Sequence, residues 1–179
     1  MRWIPKGYPG EGALTFFNND ISGKNRKDSL NYSAIYQIRP LTDDKGNYVM
    51  MENQRFAPKE PEWKYIAKDT ISFYSGFISG AERMKNGNTF INEGAKGRFF
   101  EVTPDGDIVW EFLNQYRGNI RHTNGDVVAP VPMAYSNFRA NFIPIDHPGL
   151  KDRDLVPLDP QPAIFKLPPR KEEEKKEEK

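Results

Sequence analysis

The sequence predicts an all-β chain, and three observations carry that prediction. Apolar and aromatic residues recur in eight short segments of strand length, several alternating with period two. Turn formers separate them: the chain holds 14 Gly and 15 Pro, and Asn-Gly and Asp-Gly pairs fall at the expected breaks. No segment longer than a turn or two shows the 3.6-residue apolar period of an amphipathic helix.

Four strands are predicted in the first part of the chain: Arg2–Pro5, Ala13–Asn18, Ser33–Arg39 and Glu62–Ile66. Gly7, Pro9, Gly10 and Gly12 separate the first two. Asn18 and Asn19 read as a pair that ends the second strand. A polar insertion from Thr42 to Pro61, with a turn at Asp43-Asp44-Lys45-Gly46-Asn47, reads as a surface excursion. Four more strands follow: Phe77–Met84, Thr89–Asn92, Arg98–Thr103 and Ile108–Leu113. Their connectors carry Asn86-Gly87, Gly94 to Gly97 and Asp105-Gly106, residues that tolerate positive φ. Phe100 and Val102 share one face of their strand, as do Ile108, Trp110 and Phe112 of theirs. Phe138 to Ile145 reads as one extra strand, and Pro148 to Pro169 as an extended, Pro-rich surface run. Arg170 to Lys179 holds five basic and five acidic residues and reads as a solvated tail.

The two sets of four repeat each other. With one gap allowed, Arg2-Trp3-Ile4-Pro5-Lys6-Gly7 aligns with Glu82-Arg83-Met84-Lys85-Asn86-Gly87. Ala34-Ile35-Tyr36-Gln37-Ile38-Arg39-Pro40 aligns with Arg98-Phe99-Phe100-Glu101-Val102-Thr103-Pro104, and Glu62-Trp63-Lys64-Tyr65 with Val109-Trp110-Glu111-Phe112. Without the insertion, the unit approaches the ~40–50 residues of a propeller blade. The expected architecture is a partial β-propeller of about two four-stranded antiparallel blades plus the extra strand and an extended C-terminal segment. Blade one spans about 1–67, blade two about 73–114 and a closing segment about 115–156, while residues 157–179 form a Pro-rich, then charged tail expected to be disordered. Closed rings need ~4–8 blades, so two would leave strand edges and apolar faces uncovered. Either missing upstream blades or self-association would complete the ring.

Composition narrows the function classes. Lys+Arg is 26 and Asp+Glu 25, a net charge of +1 that gives no support to a nucleic-acid binder working by bulk charge. The absence of cysteine excludes disulfides, thiolate catalysis and zinc–thiolate sites. His122 and His147 are the only histidines, and neither has ligand-spaced partners, so no metal is expected. No stretch approaches the ~18 apolar residues of a membrane span, and the N-terminus shows no signal-peptide h-region.

Several spaced motifs resemble one family. Phe73-Tyr74-Ser75-Gly76-Phe77-Ile78-Ser79-Gly80 through Asn88-Thr89, continuing to Ile108-Val109-Trp110-Glu111-Phe112, closely resembles the last full blade of arylsulfotransferase-like β-propeller proteins. Trp3-Ile4-Pro5-Lys6-Gly7-Tyr8-Pro9-Gly10 with Phe17-Asn18-Asn19 resembles the preceding blade, and Pro148-Gly149-Leu150 with Arg153-Asp154-Leu155 the closing segment. The resemblance implies sulfuryl transfer from a phenolic sulfate to a phenol through a histidine intermediate, with no cofactor and a periplasmic or secreted location. That histidine would lie two residues before Met1, so the chain is expected to be an inactive C-terminal part of the parent fold. Of the family's catalytic set, Ser79 occupies the hydroxyl position and would donate to a sulfate oxygen. Phe73 and Tyr74 would line the channel mouth for an aromatic substrate, and Arg98 would approach its anion. The alternative is a non-catalytic propeller module that binds a ligand or protein.

Overall fold

The computed structural model describes residues 1–21, 31–115 and 135–156. Within them the protein forms two four-stranded antiparallel sheets and no α-helix. The first sheet contains β1 (Arg2–Trp3), β2 (Leu14–Ile21), β3 (Tyr32–Ile38) and β4 (Trp63–Tyr65). The second contains β5 (Gly80–Arg83), β6 (Thr89–Glu93), β7 (Arg98–Val102) and β8 (Ile108–Leu113). Each sheet is a simple meander in which strands neighbour one another in chain order. In the second sheet the links are short, and Gly87 (φ 92°) and Gly106 (φ 88°) supply the left-handed residues of the β5–β6 and β7–β8 turns.

Register explains how the sheets meet. Phe17, Ile35 and Tyr65 are consecutive cross-strand partners and share one face of the first sheet. Ile91 and Phe100 are partners on the facing side of the second. Together with Ala67, Phe73, Ala81 and Val102 they form the core. Phe73 comes from neither sheet. It enters from the connector and lies edge-on to Phe17 (5.2 Å) and to Phe100 (5.5 Å), with Tyr65 at 5.5 Å.

A polar layer lies beside this aromatic one. Arg83 on β5 is buried, and burial pushes its guanidinium pKa down. It donates to the Gly87 carbonyl and to Gln37 Oε1 on the first sheet, both at 2.7 Å. Gln37 passes the contact on to Glu62 through Nε2 at 2.8 Å. The Arg83 guanidinium lies 4.6 Å over the Trp63 ring. Trp63 Nε1 in turn donates to the Pro104 carbonyl at 2.7 Å. Arg2 and Glu82 join β1 to β5 at 2.8 Å.

Three expectations are corrected. Phe138 to Ile145 forms no strand. It crosses the outward face of the second sheet: the Asn137 carbonyl meets the Asn92 side chain, and Phe142 packs on Phe90. Its backbone makes single contacts there, Ser79 N to the Phe138 carbonyl and Phe142 N to the Glu82 side chain, rather than a ladder, and Pro144 lacks an N–H. The strand predicted from Phe77 begins only at Gly80, because Phe77 to Ser79 complete a tight turn. The second strand runs past Asn18 to Ile21, with an irregularity between them. The 42–61 insertion is mostly exposed, with two isolated bridges, Thr42 to Tyr48 and Met50 to Phe56. Part of the closing segment (116–134), including His122, and the 157–179 tail lie outside the described residues.

Phe100→Ala should destabilise the fold by about 3–5 kcal/mol in urea titrations, because it opens a cavity between the sheets. Phe56→Ala, on the exposed insertion, should shift stability by no more than about 0.5 kcal/mol.

Candidate functional site

The sequence singles out Ser79, and the structure places it in a strained turn where both sheets end. Ile78 has φ 50° and Ser79 φ 103°, left-handed values that a β-branched residue rarely adopts. Such strain costs on the order of 1–3 kcal/mol per residue and persists only where neighbours hold it. Here they come from three directions. Asn19 Nδ2 on β2 donates to the Ser75 carbonyl at 2.9 Å and also to the Ile78 carbonyl. Ser79 N donates to the Phe138 carbonyl at 3.3 Å. The Gly94 amide, at the end of β6, donates to Ser79 Oγ at 3.0 Å.

Three serine hydroxyls run through this turn. Ser79 Oγ donates to Ser75 Oγ at 2.9 Å. Ser75 Oγ donates to the Phe77 carbonyl at 3.0 Å and accepts from the Ala95 amide at 2.9 Å. Ser33 Oγ, buried on β3, accepts from Ser75 N at 2.9 Å and donates to the Asn19 carbonyl at 2.6 Å. Each hydroxyl proton therefore already has an acceptor. No imidazole or carboxylate contacts Ser79 among the described residues, so nothing there activates its oxygen as a nucleophile.

Arg98 belongs to the adjacent ionic cluster. Glu93 is fully buried and accepts from Tyr74 N (3.0 Å), Lys96 Nζ (2.6 Å) and Arg98 Nη1 (3.2 Å). Arg98 Nε also pairs with Glu111, and the guanidinium lies 4.3 Å over the Phe100 ring. Burial alone would lower the Arg98 pKa, but Glu93 and Glu111 outweigh it and raise it. Two carboxylates thus already hold this cation. Tyr74 is half-buried beside the cluster. Phe73 is fully buried in the core and has no exposed ring face to offer a substrate.

The four sequence-selected residues therefore lie in one region: Phe73 and Tyr74 lead into the turn, Ser79 closes it, and Arg98 sits next to its Glu93 anchor. Sequence reasoning missed Ser33, Ser75 and Glu93. The repeated Ser-Gly pair at 75–76 and 79–80 is the signal that could have found the turn, but nothing in the sequence links it to residues 42 and 56 positions upstream. An open groove of about 490 Å³ lies at the far end of β4, lined by Tyr65, Asp69, Ser72 and Ile108. The exposed Lys68–Asp107 pair is at its rim. Among the described residues no group of acidic or imidazole side chains is placed to hold a metal, and no helix is long and apolar enough to cross a membrane. His147 caps a single 3-10 turn, its Nδ1 accepting from Gly149 N at 3.1 Å.

Comparison with protein-family models, curated proteins and solved structures finds no match to this chain.

Ser79→Ala should cost about 1–3 kcal/mol in urea titrations, because the Gly94 amide loses its acceptor. Gly94→Ala should detach the 137–142 segment, since a methyl there would collide with the Asn137 carbonyl and lie 2.8 Å from Ile78 Cγ1. Faster hydrogen exchange at the amides of Asn137 and Ser79 would report it.

Proposed function

We propose that this chain supplies two adjacent blades of a β-propeller of the arylsulfotransferase-like kind its sequence resembles. In that setting it forms wall and lining for a channel that handles an aryl sulfate and a phenol. It does not carry the nucleophile. The observation that supports this most is the pair of meanders: two four-stranded sheets in chain order, repeating each other in sequence, with facing sides packed through one core. The strained turn at Ser79 and the half-buried Arg98 sit together at one end of both sheets, where a channel-facing hydroxyl and cation belong in such a fold. The family resemblance also implies a periplasmic or secreted protein.

One observation favours a second reading, a non-catalytic module that binds a ligand or protein. Every serine hydroxyl at the turn has an internal acceptor and Arg98 is held by two carboxylates, so the region is built for rigidity.

Two measurements test the proposal. Blades fan outward from an axis, so their inner strands lie closer than their outer ones. The chain has no cysteine, so engineered ones can be spin-labelled without background. Labels at Lys6→Cys and Lys85→Cys, next to the inner strands, should lie closer than labels at Lys64→Cys and Glu111→Cys on the outer ones. Equal distances would indicate a flat sandwich and sink the blade reading. In an absorbance assay the chain should not transfer sulfate from 4-nitrophenyl sulfate to phenol. Turnover abolished by Ser79→Ala would overturn the assignment of a lining role.

A further inference from the structure

Each sheet covers only one face of the other, and the two outward faces are aromatic. On the second sheet the outward row includes Phe90, Phe99, Trp110 and Phe112, with Phe99–Phe112 and Trp110–Phe112 stacked at 6.1 and 6.3 Å. Phe142 covers Phe90, while Trp110 remains 47% exposed. On the first sheet the outward row includes Trp3, Leu14, Phe16, Tyr36 and Ile38. Phe16 and Tyr36 are 5.5 Å apart, and Trp3 is 56% exposed.

These faces are not arbitrary apolar patches. Through the sequence repeat, they are the two halves of the interface already buried inside the chain. Trp110 and Phe112 hold the repeat positions of Trp63 and Tyr65, and Glu101 that of Gln37. On the other face, Trp3 and Tyr36 hold the positions of Arg83 and Phe100. Inside the chain those partners meet: Trp63 lies under Arg83 at 4.6 Å, Tyr65 packs on Phe100 at 5.9 Å, and Gln37 bonds to Arg83. Two positions change chemistry between the pairs: Glu101 for Gln37 brings a carboxylate, to which Asn86 and Asn88 of the same copy donate, and Trp3 for Arg83 replaces a buried cation with an apolar ring. The second change suits a surface formed on association, where burying an unpaired charge would be costly.

We propose that a second copy of this chain docks head-to-tail on the first. The outward face of the second sheet of one copy packs on the outward face of the first sheet of the next, bringing Trp110 to Trp3 and Phe112 to Tyr36. The proposal rests on the reading of the two sheets as repeating wedges and names the partner that continues them. Such an interface is heterologous, so each copy keeps one free face of each kind until a ring closes. With ~4–8 blades to a ring, about two to four copies would close it.

The test is the solution mass of the full 179-residue chain, by sedimentation and by light scattering, against Trp3→Glu, Trp110→Glu and their equimolar mixture. The wild type should rise above 20.6 kDa with concentration, in whole multiples. Each variant alone should be monomeric, because each has lost one half of the interface. The mixture should form a one-to-one dimer that grows no further, because it retains one intact face of each kind. Trp3→Ser and Trp110→Ser replace the charged pair if circular dichroism shows either of those unfolded. A wild type that stays monomeric at its highest soluble concentration would overturn the proposal. So would self-association that survives Trp3→Glu but not Trp110→Glu, which means like faces pair. The spin-label distances separate the two levels: a monomer with fanned sheets fails only the self-association, whereas equal inner and outer distances fail the wedge reading beneath it.

Discussion

The arrangement depends on one constraint: among the described residues neither sheet has a second layer of its own. A four-stranded meander with an apolar face must bury that face against something. Here each sheet serves as the other's cover, and Phe73 fills the space that two twisted sheets leave between them. Its ring touches Phe17 and Tyr65 from one sheet and Phe100 from the other, so the junction is one aromatic cluster. Because Phe73 stands on the connector, the path of the chain at 67–79 is fixed from inside, and that path puts the Ser75–Ser79 turn where both sheets end.

The polar part of the junction follows a different rule. A guanidinium buried among aromatic rings needs its donors satisfied, and Arg83 reaches Glu62 only through the Gln37 amide. Glu93 solves the converse problem, a fully buried carboxylate with two cations and a backbone amide on its oxygens. Among the described residues some buried polar atoms have no hydrogen-bond partner: Thr15 Oγ1, Thr89 Oγ1, Asn92 Oδ1 and Arg83 Nε. Three of these belong to residues flanking the Arg83–Gln37 contact in register, where Thr15 pairs with Gln37 and Arg83 with Thr89. Aromatic packing supplies the adhesion between sheets, and this strip fixes their alignment.

Much of this was legible in the sequence because strand signals are local. Thr89 to Glu93 and Arg98 to Val102 lie between left-handed glycines, and they form strands within a residue of expectation. The failures arose where non-local contacts decide. Phe138 to Ile145 has strand composition, yet it crosses a sheet face on which Phe142 packs while Phe138, Ile143 and Ile145 stay exposed, an arrangement that a one-dimensional reading cannot see. Phe77 to Ser79 looks like the start of a strand, but Asn19 and Gly94 draw it into positive φ. The same holds for the site. Ser79 and Arg98 could be picked by residue type and position, whereas their partners Ser33 and Glu93 emerge only when the two sheets come together.

The bonds that secure the 75–79 turn carry a consequence for the order in which the molecule assembles. Asn19 and Ser33 reach forward 56 and 42 residues to hold it. Contacts of that span pay for loop closure before they return anything. During synthesis the first meander emerges with its apolar side bare, and the later one cannot set its leading edge until the earlier asparagine and serine are in place. Ribosomal output and tertiary closure thus run in the same direction, with the N-terminal half acting as a mould for the second meander.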